Sequence, residues 1–188
     1  SKNNSRFLLA GDSALVIQFG EVVDAAINQN VRKLAAIVKR ENINGILDLV
    51  PTMRSLMIHY DPLCVSQSEL KKRIVPLLGK GITLDDDINR WRIPVCYENE
   101  YAPDIEEVSK SLGVSASEII KQHTSVELEV FMMGFLPGFP YLGLLPEIFD
   151  LPRRVEPRVH VPPRSISVAA RQTTIYTIDS PGGWHLIG

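Results

Sequence analysis

Beyond Thr124 the chain loses the spacing of amphipathic helices, and prolines and glycines recur so closely that short strands joined by rigid turns are what it can build there. The candidate strands are residues 129–133, 166–169, 174–178 and 184–187, so this half reads as mostly β. The first part of the chain has a different rhythm. Residues 5–10 and 13–19 flank the turn pair Gly11-Asp12 and predict a β-hairpin. Asp24 can then cap a helix in which Ile27, Val31, Leu34 and Val38 recur at helical spacing. Residues 46–50 and 55–60 follow as strands joined through Pro51-Thr52, the second alternating Leu56, Ile58 and Tyr60 against Met57 and His59. Ser68 is the expected cap of a second helix carrying Leu70, Ile74 and Leu77, which Pro76 shortens or kinks. The order ββαββα predicts a compact α+β sandwich with its helices on one face.

Residues 79–89 are rich in Gly and Asp and offer little to bury, which marks a linker and places a domain boundary near Asp87. The expected domains are 1–87 and 88–188. The second opens with an alternating, strand-like run at residues 90–97. A short helix carrying Ile105, Val108 and Leu112 follows Pro103. Ser115 and Glu118 then make an S-x-x-E capping box for another helix, with Ile119 and Ile120 on its apolar side, that ends at Gln122-His123. The chain stops directly after the apolar run 184–187, where an unpaired strand would be an exposed edge, so the natural protein is expected to continue past Gly188.

Composition excludes several partners. Lys and Arg number 20 against 22 Asp and Glu, a net charge of −2, which sets up no field for nucleic acid or an anionic membrane. The apolar runs at 46–50 and 131–135 are far shorter than the roughly 20 residues a membrane span needs. No signal-peptide pattern opens the sequence, and Cys64 and Cys96 stand alone, as reduced thiols do in the cytoplasm. The four histidines are dispersed, so no metal is assigned. His59 reads as structural, and His123 is the first candidate for an acid or base.

Three segments could carry chemistry. Residues 131–143 pack three glycines, two prolines and four aromatics into thirteen positions. Glycine permits close approach, proline stiffens the loop and aromatics supply flat walls, a mixture that suits a pocket rim or partner surface. A tight turn plugging its own core with Phe135 and Phe139 explains it equally well. Arg153, Arg154, Arg158 and Arg164 lie with His160 and Pro152, Pro157, Pro162 and Pro163 in a stretch that cannot be helical. Their forks suit carboxylate or phosphate, although a solvated loop paired with Glu147, Asp150 and Glu156 is favoured by composition. Ser180-Pro181-Gly182-Gly183-Trp184 is a further rigid turn, either an anion-binding run of N–H groups or an ordinary hairpin. The sequence contains neither a P-loop nor a G-x-S-x-G elbow.

Taken together, these blocks resemble the small subunit of 5-oxoprolinase, a family also labelled allophanate hydrolase subunit 1 and including a sporulation-kinase inhibitor. The resemblance runs from Gly11-Asp12 through Phe19-Gly20 and Asn30-Val31, and through Val50-Pro51, Ser55-Leu56 and Tyr60-Asp61-Pro62. It continues through Ile93-Pro94-Val95-Cys96-Tyr97 and His123-Thr124. It is most specific in F-x-x-G-F-x-P-G-F-x-Y-L-G from Phe131, in Pro157, Arg158, Val161 and Pro162, in Gln172-Thr173 with Ile175-Tyr176, and in S-P-G-G-W from Ser180.

The resemblance implies a small N-terminal α/β domain followed by a C-terminal cyclophilin-like β-barrel. It implies ATP-dependent opening of 5-oxoproline to glutamate, or a related amide hydrolysis, with ATP reached only through a hetero-oligomer. The implied partners are the homologous barrel subunit of 5-oxoprolinase (its C-type subunit, or allophanate hydrolase subunit 2) and the third, A-type subunit of that enzyme. The site carried over comprises Phe135, Pro137, Gly138, Phe139, Tyr141, Arg158, Pro162, Ser165, Gln172, Thr173, Tyr176, Ser180, Pro181, Gly182, Gly183 and Trp184. In it Arg158 is expected to hold a carboxylate and Gln172 an amide, with His123, Arg158 and Gln172 as the catalytic candidates. Family glycines are replaced here at Arg164, Ala170 and Thr174, and Arg164 and Thr174 are expected to narrow the cleft. The alternatives are a module that docks on a histidine kinase through the same rim, and a purely structural role for these blocks in building the barrel.

Overall fold

A computed structural model describes residues 5–80 and 89–188 of the chain, which divides into two compact units, Ser1–Arg90 and Trp91–Gly188. The expected boundary at Asp87 lies outside the described residues. Both units are α+β with antiparallel sheets and two α-helices each among the described residues. Among those residues no helix is long and apolar enough to cross a membrane.

In the first unit, strands β1 (Arg6–Leu9) and β2 (Ala14–Gln18) form the expected hairpin across Gly11, whose φ of 70° suits glycine. Helix α1 (Ala25–Glu41) follows, then β3 (Ile46–Pro51), β4 (Ser55–Tyr60) and α2 (Gln67–Ile74). The sheet order is β1-β2-β4-β3. Asp24 caps α1 by accepting the Ile27 N–H at 3.0 Å. Val31, Leu34, Ile37 and Val38 of that helix meet Leu56, Ile58 and Tyr60 of β4 and Leu70 and Ile74 of α2 in one core. Asn28 shares this buried face, which an apolar pattern does not reveal, and its Nδ2 donates to the carbonyls of Thr52 and Met53. The cap of α2 is Ser66, not Ser68: its hydroxyl accepts the Glu69 N–H, so the helix starts earlier than its apolar pattern suggests. Pro76 does shorten that helix, which passes into a 3-10 turn at Val75–Leu77.

The second unit opens with a correction. Residues 91–97 form no strand, and Trp91 and Ile93 are exposed, because an alternating run without a ladder partner has nothing to hold it extended. Helices α3 (Ile105–Leu112) and α4 (Ala116–His123) come next, joined through Gly113 at a φ of 68°. Ser115 accepts the Glu118 N–H, but the Glu118 carboxylate turns to Gln122 and Lys121, so only half of the capping box forms.

The β-rich half supplies β5 (Glu129–Met133), β6 (Pro140–Gly143), β7 (Arg158–Val161), β8 (Ile166–Ala169), β9 (Gln172–Ile175), β10 (Ser180–Gly182) and β11 (His185–Leu186). They pair as a five-stranded antiparallel sheet, β11-β8-β9-β6-β5, and a separate β10-β7 pair. No closed barrel is found among the described residues. The strand expected at 174–178 begins two residues earlier, because Ala170 and Arg171 close a two-residue hairpin that sets Ala169 against Gln172.

The two faces of the five-stranded sheet have different fates. Ile166 and Val168 join Ile105, Val108 and Ile119 of the helices in the larger core. On the other face, Phe139, Val161, Tyr176 and Leu186 make a small core of their own, with Leu136 and Tyr141 against it.

Ala170 and Arg171 have φ of 47° and 61°, left-handed at both central positions of their turn, where Asn and Gly are the favoured residues. Surrounding backbone holds them there: Ala170 N–H donates to Leu151, Arg171 N–H donates to Phe149, and the Arg171 carbonyl accepts from Leu145. Ala170→Gly should therefore raise stability by about 1 kcal/mol, read as a higher urea midpoint at unchanged slope. Ala169→Gly, in the extended strand beside it, should lower the midpoint.

Candidate functional site

A cavity of about 270 Å³ opens on the small-core side of the second unit. Phe139, Tyr141 and Tyr176 come from the sheet and the loops beside it, and Trp184 comes from the turn after β10. Their rings meet edge to face or tilted, Phe139 to Tyr176 at 5.1 Å, Phe139 to Tyr141 at 5.1 Å and Tyr141 to Trp184 at 5.8 Å. Phe135 stands at the mouth, exposed, with its ring 5.3 Å from Phe139 and its backbone at a φ of 69°. For an aromatic residue that conformation is strained, and strain of this kind collects at functional positions. The turn behind it follows from its residues: Phe139 N–H donates to the Leu136 carbonyl across Pro137 and Gly138, with Gly138 at a φ of 72°, as a type II turn requires.

Pro181, Gly182 and Gly183 form the opposite wall with Pro157. Gly182 is there for space. A Cβ at that position would strike the Tyr176 hydroxyl and lie 2.8 Å from its Cζ and 3.0 Å from Val161 Cγ2. Burial raises the pKa of Tyr176 and of Tyr141, with nearby Arg153 acting in the opposite sense, so both phenols are neutral donors at physiological pH.

Eight of the residues carried over by resemblance thus line one cavity: Phe135, Phe139, Tyr141, Tyr176, Pro181, Gly182, Gly183 and Trp184. Pro137, Gly138, Pro162 and Ser165 shape turns near it without forming its walls. Gln172 is buried in β9, in register with Gly143 and Ala169, and is not a wall; nor is Ser180, whose hydroxyl has no partner among the described residues. The expected narrowing by Arg164 and Thr174 does not occur, since neither lines the cavity. Arg164 instead takes up a φ of 74°, and Thr174 donates its hydroxyl to the Pro140 carbonyl at 2.6 Å.

Arg158 is engaged elsewhere. Its fork binds Asp104, with Nη1 to Oδ2 at 2.8 Å and Nη2 to Oδ1 at 2.6 Å, while Arg154 Nη1 reaches Asp104 Oδ1 at 2.9 Å and Glu107 at 3.0 Å. Asp104 is 2% exposed and also accepts the Leu186 N–H at 2.7 Å. The anticipated pairing of the arginine cluster with Glu147, Asp150 and Glu156 is largely replaced by this one carboxylate. Arg153, missed as a site residue, lies in the cavity wall with its guanidinium carbon 5.9 Å from the Trp184 ring centre. Its signal was membership of the arginine cluster, which does not say which arginine faces a pocket.

His123 is not a wall of the cavity. It is buried on the helix side of the sheet, with Nδ1 2.7 Å from the Tyr97 hydroxyl and Nε2 3.1 Å from Thr173 Oγ1. Thr173 donates its hydroxyl to the Ser167 carbonyl at 2.9 Å, so His123 Nε2–H donates to Thr173 and Tyr97 O–H donates to Nδ1. Burial lowers the imidazole pKa to about 4, and both ring nitrogens are occupied.

The residues from 5 to 188 match a family described as the carboxyltransferase domain, subdomain C and D. The B-type subunit of the 5-oxoprolinase of Bacillus subtilis (strain 168) is 39% identical over 189 residues, covering 95% of this chain and 79% of that protein. The chain belongs to the family of the 5-oxoprolinase small subunit and allophanate hydrolase subunit 1. The crystal structure of TTHA0988 is 34% identical, with a TM-score of 0.80, over 93% of this chain and 34% of that one. Kluyveromyces lactis urea carboxylase shares the fold at 19% identity and a TM-score of 0.79, over 98% of this chain and 19% of that one. This member of the family therefore spans about a third of the length of the first of these solved structures and about a fifth of the second.

Two measurements check this geometry. Gly182→Ala should lower stability by about 1–3 kcal/mol in urea unfolding, whereas Gly183→Ala, whose Cβ would meet only Pro157 at 3.7 Å, should leave it nearly unchanged. Because folded His123 resists protonation, its contribution is complete above pH 6.5, falls as pH drops toward about 4, and is flat below that. The loss amounts to roughly 3 kcal/mol, and His123→Gln should flatten the stability profile across that window.

Proposed function

We propose that this chain is the small subunit of an ATP-dependent 5-oxoprolinase, opening 5-oxoproline to glutamate only when assembled with its partner subunits. The observation that carries the reading is the aromatic cavity itself: the F-x-x-G-F-x-P-G-F-x-Y and S-P-G-G-W blocks, distant in sequence, converge on its walls. Its size and flat apolar lining suit a five-membered lactam. An amide in such a ring is poorly electrophilic, so its opening by water needs activation of the amide oxygen by phosphoryl transfer, and the nucleotide would be held by the other subunits because this sequence has no P-loop. The partners in this reading are the homologous barrel subunit (C-type) and the A-type subunit, with the cavity mouth at Phe135 facing the first of them. The five-stranded sheet would form part of a cyclophilin-like barrel, which follows an N-terminal α/β sandwich in the sequence. The exposed free thiols of Cys64 and Cys96 suit a reducing cytoplasm.

The test is 5-oxoproline-dependent ATP hydrolysis by the purified chain, by the partner subunits and by their mixture. Activity is expected in the mixture alone. Turnover by this polypeptide without partners would overturn the subunit role, and an inactive mixture would overturn the substrate. Co-purification of a histidine kinase in place of a barrel subunit would point instead to the kinase-inhibitor role.

A further inference from the structure

We propose that Arg153, not Arg158, is the carboxylate receptor of this site, and that the cavity takes a small flat ligand bearing one carboxylate against the Arg153–Trp184 wall. The inference deepens the reading above and rests on it for the identity of the ligand.

The arginine cluster sorts itself by geometry. Arg158 and Arg154 are committed to Asp104, and their forks have their oxygens already. Arg164 lies outside the cavity. Arg153 lines it, is exposed, and makes no salt bridge among the described residues. Its guanidinium lies over the Trp184 ring at 5.9 Å, and a fork resting on an indole keeps its N–H edge available to a planar anion.

The rest of the wall agrees in sign. No Asp or Glu lines the cavity among the described residues, and the two phenols there, Tyr141 and Tyr176, are neutral donors. An anion entering would therefore meet one cation and no fixed negative charge at the wall. At about 270 Å³ the space fits a ligand of modest size. Aromatic faces on the remaining sides would sandwich its flat body, while Arg153 fixes which end carries the charge.

Trp184 provides the readout. In a Trp91→Phe background its fluorescence is the sole tryptophan signal, and the full chain is titrated with 5-oxoproline and with 2-pyrrolidone, the same lactam ring without the carboxylate. A saturable change with 5-oxoproline is expected, with 2-pyrrolidone at least about tenfold weaker. Arg153→Gln should weaken 5-oxoproline by about tenfold or more, leave 2-pyrrolidone unchanged, and keep the wild-type urea midpoint. Equal binding of the two lactams, an unchanged affinity in Arg153→Gln, or no saturable response to 5-oxoproline would each overturn the proposal. The assembled subunits separate this from the functional reading. If the mixture hydrolyses ATP with 5-oxoproline while Arg153→Gln leaves KM unaltered, the receptor falls and the enzyme stands. If the mixture is inactive but Trp184 still discriminates the carboxylate through Arg153, the enzyme falls and the receptor stands.

Discussion

The carboxylate of Asp104 is the interaction around which the second unit is organised. It is buried at the start of α3, yet it caps no helix: its oxygens receive two nitrogens of Arg158, one of Arg154 and the backbone N–H of Leu186. A buried ion without partners would cost several kcal/mol, so α3, β7, the segment before it and β11 must all be in place together. The Asp104 N–H also donates to the Leu186 carbonyl, which ties the last strand to the helix by backbone as well as side chain. With Arg154 and Arg158 drawn to this one point, the stretch between Pro152 and Pro157 is held so that Arg153 and Pro157 face the cavity.

Backbone strain marks the same region. Phe135, Arg164, Ala170 and Arg171 all have positive φ without being glycine. At Arg164 and Ala170 the resemblance leads glycine to be expected, and the left-handed backbone is reason enough for a glycine there: it would relieve a Cβ clash without any need to leave room for a ligand. Thr174 is a different case, an extended residue in β9 whose hydroxyl serves the Pro140 carbonyl. Phe135 is the one of these four positions that also lines the cavity, where an exposed ring is held above Phe139.

The polar groups on the two faces of the sheet separate structure from chemistry. His123, which by intrinsic pKa was the natural acid or base, lies on the helix face in a chain running from Tyr97 through His123 and Thr173 to Ser167. Such a chain occupies both imidazole nitrogens and leaves neither for a substrate. The opposite face holds the cavity, lined by aromatic rings and Arg153.

Much of the fold was legible in the residues. The hairpin at Gly11, the Asp24 cap, the alternation of Leu56, Ile58 and Tyr60 and the Ser115 cap all rest on neighbours within a few positions, and local chemistry decides them. The aromatic, proline and glycine blocks were legible as rigid turns, but their composition left open whether they would rim a pocket or plug a core. Local pattern was not enough at residues 91–97, where alternation found no ladder partner, or at Asn28, a polar side chain inside an apolar stripe. Nor could it say which of four arginines would face the cavity, because that depends on Asp104, 54 positions away from Arg158 in the chain. The sequence alone determined the turns, caps and helices that rest on neighbouring residues. Only the tertiary structure decided which charges would be neutralised and which left facing a cavity, since charges separated by that length of chain choose partners by proximity in the folded state.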